Sequence, residues 1–232
     1  MKKQLFFVGL CFFTTLLSFG QVNFTRGEEL FMQNKPGEAL VFLENSIADD
    51  PAHVQAFLYL GIVYEQLDRL DEAIAVYRRV LNRAGDLTAC ISTNLGNVYF
   101  RKGNFTSAED FYSQALVQDS VYSSAYMGRA NTRIKTGALK DAVEDYESYL
   151  TLEPRSPQRP EIERLIAFIR SEVAAEERRR LLAEEAAREE AERRQRLLDE
   201  LSASLQSAAD GSQGLSTGAD NVENYEGEFE LE

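Results

Sequence analysis

Histidine and cysteine, the side chains that most often do nucleophilic or metal chemistry, are nearly missing from this sequence. His53 is the only histidine, and it follows Pro51 by two residues. Cys11 sits in an apolar amino-terminal run, which leaves Cys90 alone in the rest of the chain. One histidine without a cysteine cluster makes neither a catalytic triad nor a zinc site. A lone Cys90 has no internal disulfide partner and reads as a small apolar packing residue. The glycine spacings that cradle phosphates and dinucleotides are absent, as is the GxSxG nucleophile elbow. The many carboxylates alternate with arginines along helix-like runs, as solvated surface charge does. No constellation converges, so no catalysis, cofactor, metal or small-molecule substrate is expected. What is left is the chemistry of recognition: amides, apolar side chains and a few cations held on helices.

Charge narrows the partners. The formal net charge is −13. Nucleic-acid affinity rests on neutralising phosphates, so DNA and RNA would be repelled. The same balance argues against non-specific adhesion to anionic lipid. Protein remains the natural partner.

Lys2 and Lys3 precede an uncharged apolar run, Leu5 to Phe19. That run is shorter than the roughly 20 residues that span a bilayer. Ser18 and Gly20 offer small residues before Gln21, so residues 1–20 read as a signal peptide cleaved there. The short two-lysine leader looks bacterial, and the expected location is the periplasm, or the membrane if the leader stays uncut.

The elements that must position any binding residues recur along the chain. Leu60-Gly61-x2-Tyr64 is followed by Ala73-x3-Tyr77. Leu95-Gly96-x2-Tyr99 is followed by Ala108-x3-Tyr112, and Tyr126 precedes Ala142-x3-Tyr146 and Pro154. Gly27-x2-Leu30, Ala39-x3-Leu43 and Pro51 form a shortened first copy. Turns are expected at 67–69, 102–104 and 136–138, where Asp68, Gly103 and Gly137 suit a helix end. In residue type and in a spacing near 34 residues, the chain resembles the tetratricopeptide repeat family over about residues 22–154. The resemblance implies an all-α fold, a TPR-like α-solenoid of about four helix pairs over residues 21–154. Small residues let paired helices approach, and stacking supplies the core.

The resemblance also implies a groove lined by the first helix of each pair, holding a partner's peptide or helix. By phase it would be lined by Leu58, Ile62, Glu65 and Gln66; by Thr93, Asn97, Phe100 and Arg101; and by Met127, Asn131, Ile134 and Lys135. Some family members clamp a terminal carboxylate with lysines, but Leu58, Thr93 and Met127 occupy the lysine places, so that specificity is not expected. Arg129 and Arg133 replace the Leu and Tyr of earlier copies. Their stems should pack while their heads stay in water, paired with acids such as Asp145.

After Pro154, Pro157 and Pro160 a helix should cap the stack through Ile162, Leu165, Ile166, Ile169 and Val173, and continue as a long charged helix over 155–206. Five Glu-to-Arg pairs at i,i+4 would stiffen it: 176–180, 184–188, 189–193, 190–194 and 192–196. Leu197, Leu201 and Leu205 add a narrow stripe that permits weak self-association through a coiled coil. Residues 207–232 read as a disordered acidic tail. Within it Tyr225, Phe229 and Leu231 alternate with glutamates, the period of a strand that could add to a partner's sheet. The whole reads as a periplasmic protein-protein interaction scaffold for an envelope partner. The alternative is a membrane-anchored structural or chaperone-like spacer that uses the long helix and tail.

Overall fold

The structure, a computed structural model, describes residues 20–219, with side chains through residue 210. The described residues are helical, and no strand occurs among them. Four helix pairs follow one another. The first is α1 (residues 20–32) with α2 (Pro36–Asp49). Next come α3 (Val54–Gln66) with α4 (Leu70–Leu81), α5 (Thr88–Arg101) with α6 (Phe105–Gln118), and α7 (Ser123–Thr136) with α8 (Leu139–Leu152). The first copy, read as shortened, is thus a full pair. The last helix, α9, runs Arg159–Ala219.

The first helix of each pair ends for a local reason. Asn34, Asp68, Gly103 and Gly137 have φ of 57°, 58°, 74° and 81°, one left-handed residue inside every pair. Left-handed backbone cannot continue a right-handed helix, and glycine or a short polar residue tolerates it best. The following amide then reaches back over the last turn: Lys35 to Leu30 O at 3.0 Å, Arg69 to Tyr64 O at 2.8 Å, Asn104 to Tyr99 O at 3.0 Å and Ala138 to Arg133 O at 2.9 Å. These bonds satisfy carbonyls that the helix end would otherwise leave unpaired. The expected turns at 67–69, 102–104 and 136–138 are where these reversals occur.

Small-against-large contacts set the distance between paired helices. A Cβ added at Gly27 would meet Leu43 Cγ at 2.7 Å, one at Gly61 would meet Tyr77 Cε1 at 2.2 Å, and one at Gly96 would meet Tyr112 Cε1 at 2.6 Å. Ala73 and Ala108, on the second helices, are fully buried. A continuous core runs from Phe24 to Ala125. A second cluster joins Ala130, Val143, Tyr146 and Leu150 to Ile162, Ile166 and Ile169 of α9, with Leu165 and Val173 packed beside them. The opening turns of α9 therefore cap the last pair, and the residues that do so have the i,i+4,i+7 spacing of one helix face.

Between the two clusters lies a charged group. Arg129 Nε and Nη2 donate to the two Asp145 oxygens at 2.9 and 2.7 Å, and Arg133 Nη1 donates to Asp145 Oδ2 at 2.8 Å. Arg133 Nε also donates to Glu109 Oε1 at 2.7 Å, and Arg129 Nη1 to Ser113 Oγ at 3.1 Å. Pairing with Asp145 is as expected, but the heads do not stand in water. The arginine side chains are 17% exposed and the Asp145 side chain 4%. The physical reason is position: these residues inherit the buried places of Leu95 and Tyr99, so the charges satisfy one another instead of the solvent.

The chain divides at Val173/Ala174 into two units, and α9 contributes to both. In the second, every described side chain is exposed. Of the five expected pairs only Glu192–Arg196 closes, at 3.9 Å. Arg180 turns instead to Glu177 at 2.8 Å and Glu184 at 3.6 Å, and Arg188 to Glu192 at 3.9 Å. With a carboxylate available both three and four residues away, each guanidinium takes either side, and exposed pairs differ little in energy. The helix also continues past the expected boundary at 207, through Ala219. No proline interrupts it, and adding a residue to a formed helix gains a hydrogen bond without a new nucleus. The leader expected over 1–20, except Gly20, and the tail residues Tyr225, Phe229 and Leu231 lie outside the described residues.

Candidate functional site

The first helices α5 and α7 bring five of the expected groove residues around one cavity of about 250 Å³. Asn97, Phe100 and Arg101 come from α5, and Met127 and Asn131 from α7. Ser124, Gly128 and Tyr112 complete the lining. Residues 124, 127, 128 and 131 form an i,i+3,i+4,i+7 stripe, one face of α7. That spacing was the signal that could have added Ser124 and Gly128 from the sequence. Gly128 also explains the depth: a Cβ there would stand 2.3 Å from Tyr112 Cε1.

The polar groups of the site are oriented by the second helices. Tyr112 Oη donates to Asn97 Oδ1 at 2.7 Å, and Tyr146 Oη donates to Asn131 Oδ1 at 2.6 Å. Once each side-chain carbonyl has accepted, the amide NH2 remains as the free donor. One pair upstream, Ile62 holds the place of Asn97 and cannot accept. Tyr77 Oη turns to Glu65 Oε1 instead, at 2.7 Å. Burial pushes the Glu65 carboxyl above its ordinary pKa, against the opposing pull of the Tyr77 hydroxyl and the Arg101 charge. Burial chiefly, and the nearby Glu65 carboxylate, also raise the Tyr112 hydroxyl, so the phenol stays protonated and donates. The groove thus presents an acceptor at α3 and amide donors at α5 and α7.

Arg101 is less available than expected. Its Nη1 donates to the Glu65 carbonyl at 3.1 Å and its Nη2 to Asp68 Oδ1 at 2.8 Å. The guanidinium ties α5 to the carboxyl end of α3, where a cation complements the helix dipole. Other expected residues lie elsewhere. Leu58 is buried in the core at 9% exposure, and Thr93 is buried at 3% with its hydroxyl on Ala89 O at 2.8 Å. The first helices of neighbouring pairs touch, α3 with α5 and α5 with α7. Ile62 is half-buried against the first core cluster and Ile134 against the second, so they wall the stack more than the cavity. Gln66 and Lys135 are exposed and stand outside it.

A larger cleft of about 700 Å³ lies between α8 and the opening of α9, lined by Glu147, Leu150, Arg159, Glu163 and Arg170 among others. Its charges are already paired: Arg159 with Glu163 at 2.9 Å and Arg170 with Glu147 at 2.6 Å. Arg159 Nη2 also donates to Leu150 O at 2.5 Å. Those contacts fasten the cap to the last pair and leave no polar group seeking a ligand. Among the described residues no group of three His, Cys, Asp or Glu could hold a metal ion.

Stacked helix pairs that share a groove along their first helices define an α-solenoid interaction module. Two family models described as tetratricopeptide repeat match residues 30–92 and 93–160, which together take in more than half the chain. The chain belongs to the tetratricopeptide repeat family, whose members generally mediate protein–protein interactions. Among curated proteins it is 32% identical over 111 residues to mouse (Mus musculus) RNA polymerase II-associated protein 3, covering 48% of this chain and 17% of that protein. It is 28% identical over 147 residues to protein FlbA of Caulobacter vibrioides, covering 63% and 24%. The chain spans about a quarter or less of the length of the curated relatives it matches. Among solved structures, pilF of Pseudomonas aeruginosa superposes with a TM-score of 0.56 at 19% identity, covering 69% of this chain and 70% of that one. A tetratricopeptide repeat protein of Parabacteroides merdae gives 0.58 at 16%, covering 67% and 61%. MamA gives 0.54 at 20%, covering 59% and 74%. At these identities the structures share the fold alone.

Proposed function

We propose that this chain is an exported scaffold that holds a peptide or helix of a cell-envelope protein in the groove between α5 and α7, in the periplasm. The observation that carries the binding part is the convergence of Asn97, Phe100, Met127 and Asn131 on one cavity, with both amide donors oriented by tyrosines. The volume, about 250 Å³, lies below the roughly 300–1,000 Å³ of small-molecule sites. It suits one anchoring side chain of a longer segment, with the amides taking backbone carbonyls beside it. Export rests on the leader pattern of residues 1–20, and the periplasm on its bacterial look. Catalysis has no part in this reading.

A second reading, a structural or chaperone-like spacer, draws on the exposed helix of the second unit. Leu197, Leu201 and Leu205 are 58%, 57% and 63% exposed there and are the seam through which weak self-association would run. Among the described residues no helix is long and apolar enough to cross a membrane, so an anchored version depends on the leader. Two measurements test the proposal. Mass spectrometry of the chain recovered from a bacterial periplasmic fraction should show cleavage before Gln21, and cytoplasmic retention of the whole chain would contradict export. A photo-crosslinker at Ser124 should capture a single envelope protein that the same group at exposed Val117 does not. Equal capture at both sites would contradict the groove.

A further inference from the structure

Three arginines near the carboxyl end of α4 carry charge that nothing in the described structure neutralises. Arg78 lies over two rings, its guanidinium carbon 5.7 Å from the Tyr99 centroid and 5.8 Å from that of Phe111. Those rings are stacked on each other, 5.4 Å apart with an interplanar angle of 5°. Arg79 and Arg83, one helical turn apart, both sit over Phe57 at 5.1 and 5.3 Å. All three are exposed, and among the described residues none makes an ion pair. Arg83 donates to the Pro51 carbonyl, which fixes its place but leaves its charge. The α4 dipole favours cations in its last turn, where Arg78 and Arg79 stand. It does not account for their seating on aromatic faces or for Arg83 beyond the helix.

Seating a guanidinium on a ring occupies its face and leaves the N–H fork along its edge free. The fork is then pre-organised for carboxylates, with little side-chain freedom left to lose on binding. Arg78 and Arg79 are on the second helix of their pair and Arg83 lies just past its end, and none of the three lines the cavity. A concentrated positive spot in a chain of net charge −13 calls for a concentrated acidic segment. The chain itself carries one: from Asp210 to Glu232 there are seven acids and no bases. Glu226, Glu228, Glu230 and Glu232 alternate with Gly227, Phe229 and Leu231. In an extended chain alternate residues share one side at about 7 Å, a spacing that neighbouring forks can meet. Two acidic molecules repel at long range, but that repulsion is screened beyond about 8 Å at physiological salt.

We infer that the Arg78, Arg79 and Arg83 surface is a docking site for an acidic segment, and that its occupant is the carboxyl-terminal segment, residues 221–232, of a second copy of this chain. The test uses a labelled synthetic peptide of residues 221–232 and fluorescence anisotropy. The titrant is the full-length chain with Glu226, Glu228 and Glu230 changed to Gln, so that its own tail does not compete. Saturable binding is expected, weaker by about tenfold in R78Q/R79Q and weakened by salt. A peptide carrying the same three Gln changes should not bind. Ser124→Trp, which blocks the first-helix cavity, should leave binding within about twofold, which separates this site from the groove. Sedimentation of the unaltered chain at physiological salt should show association that R78Q/R79Q removes, with matching thermal melts establishing that the variant folds. Failure of the peptide to bind, equal binding to R78Q/R79Q, loss of binding in Ser124→Trp alone, or a chain that stays monomeric would each overturn the inference.

Discussion

At the scale of single residues the stack depends on side chains that are missing as much as on those present. Tyr77 occupies the space a Cβ at Gly61 would need, 2.2 Å away, whereas nothing lies within 4 Å of a Cβ at Gly37. Gly61→Ala should therefore cost about 1–3 kcal/mol by overpacking. Gly37→Ala, inside helix α2, should instead raise stability by up to about 1 kcal/mol. Urea denaturation of the two variants side by side checks the contrast. Glu65 gives a pH dependence. Its folded pKa is raised, so folding favours its protonated form. The stability it contributes is fully present below its unfolded pKa, near 4.3, and is lost as pH rises through the folded value. Relative to Glu65→Gln, the wild type should thus lose stability between pH 4 and 7. A constant difference across that range would contradict the assignment. The sequence marked Gly61, Gly96, Tyr77 and Tyr112 through their spacing. It did not show that Asn97 and Asn131 are held by tyrosines, because that bond joins two helices and depends on how closely they pack.

At the scale of elements, the second and third pairs, the turns at Asp68, Gly103 and Gly137 and the cap at Ile162, Ile166 and Ile169 were legible, since each follows from local periodicity and turn chemistry, whereas the first pair, read as shortened, and the run of α9 past 207 were not. The fourth pair was legible only in part. Arg129, Arg133 and Asp145 stand where the third pair has Leu95, Tyr99 and Phe111. An aromatic stack at 5.4 Å between Tyr99 and Phe111 becomes an ion pair at 2.8 Å between Arg133 and Asp145. Residue type alone gave the pairing, but burial is a property of the place in the stack. Asp145→Ala should cost about 3–5 kcal/mol, because it leaves the largely buried Arg129 without a carboxylate and Arg133 with Glu109 alone. The triple change Arg129→Leu, Arg133→Tyr and Asp145→Phe restores the earlier repeat and should be neutral or stabilising by thermal melt. If the triple variant is as unstable as Asp145→Ala, the cluster is not a replaceable packing solution. The reversed ion pairs of the second unit teach a similar lesson: where several exposed partners are within reach, sequence spacing does not choose among them.

At the scale of the molecule, four helix pairs are closed by a helix, and among the described residues the first helices α5 and α7 open into a cavity. Its floor is Tyr112 against Gly128, and its donors are Asn97 and Asn131. The repeat pattern identified which helices line the groove. It did not reveal that Leu58 and Thr93 are buried, because burial depends on how neighbouring helices pack. Binding should therefore concentrate between α5 and α7. The most direct measurement is the affinity of the protein captured at Ser124 for the full-length chain, by calorimetry, with and without Ser124→Trp. The exposed Ser124 side chain contributes nothing to the core, so the indole fills the cavity while the fold is kept. The expected result is an affinity lower by at least about tenfold, with an unchanged thermal melt and with full binding retained by Val117→Trp. Unaltered affinity in Ser124→Trp would contradict the assignment of the groove as the binding site.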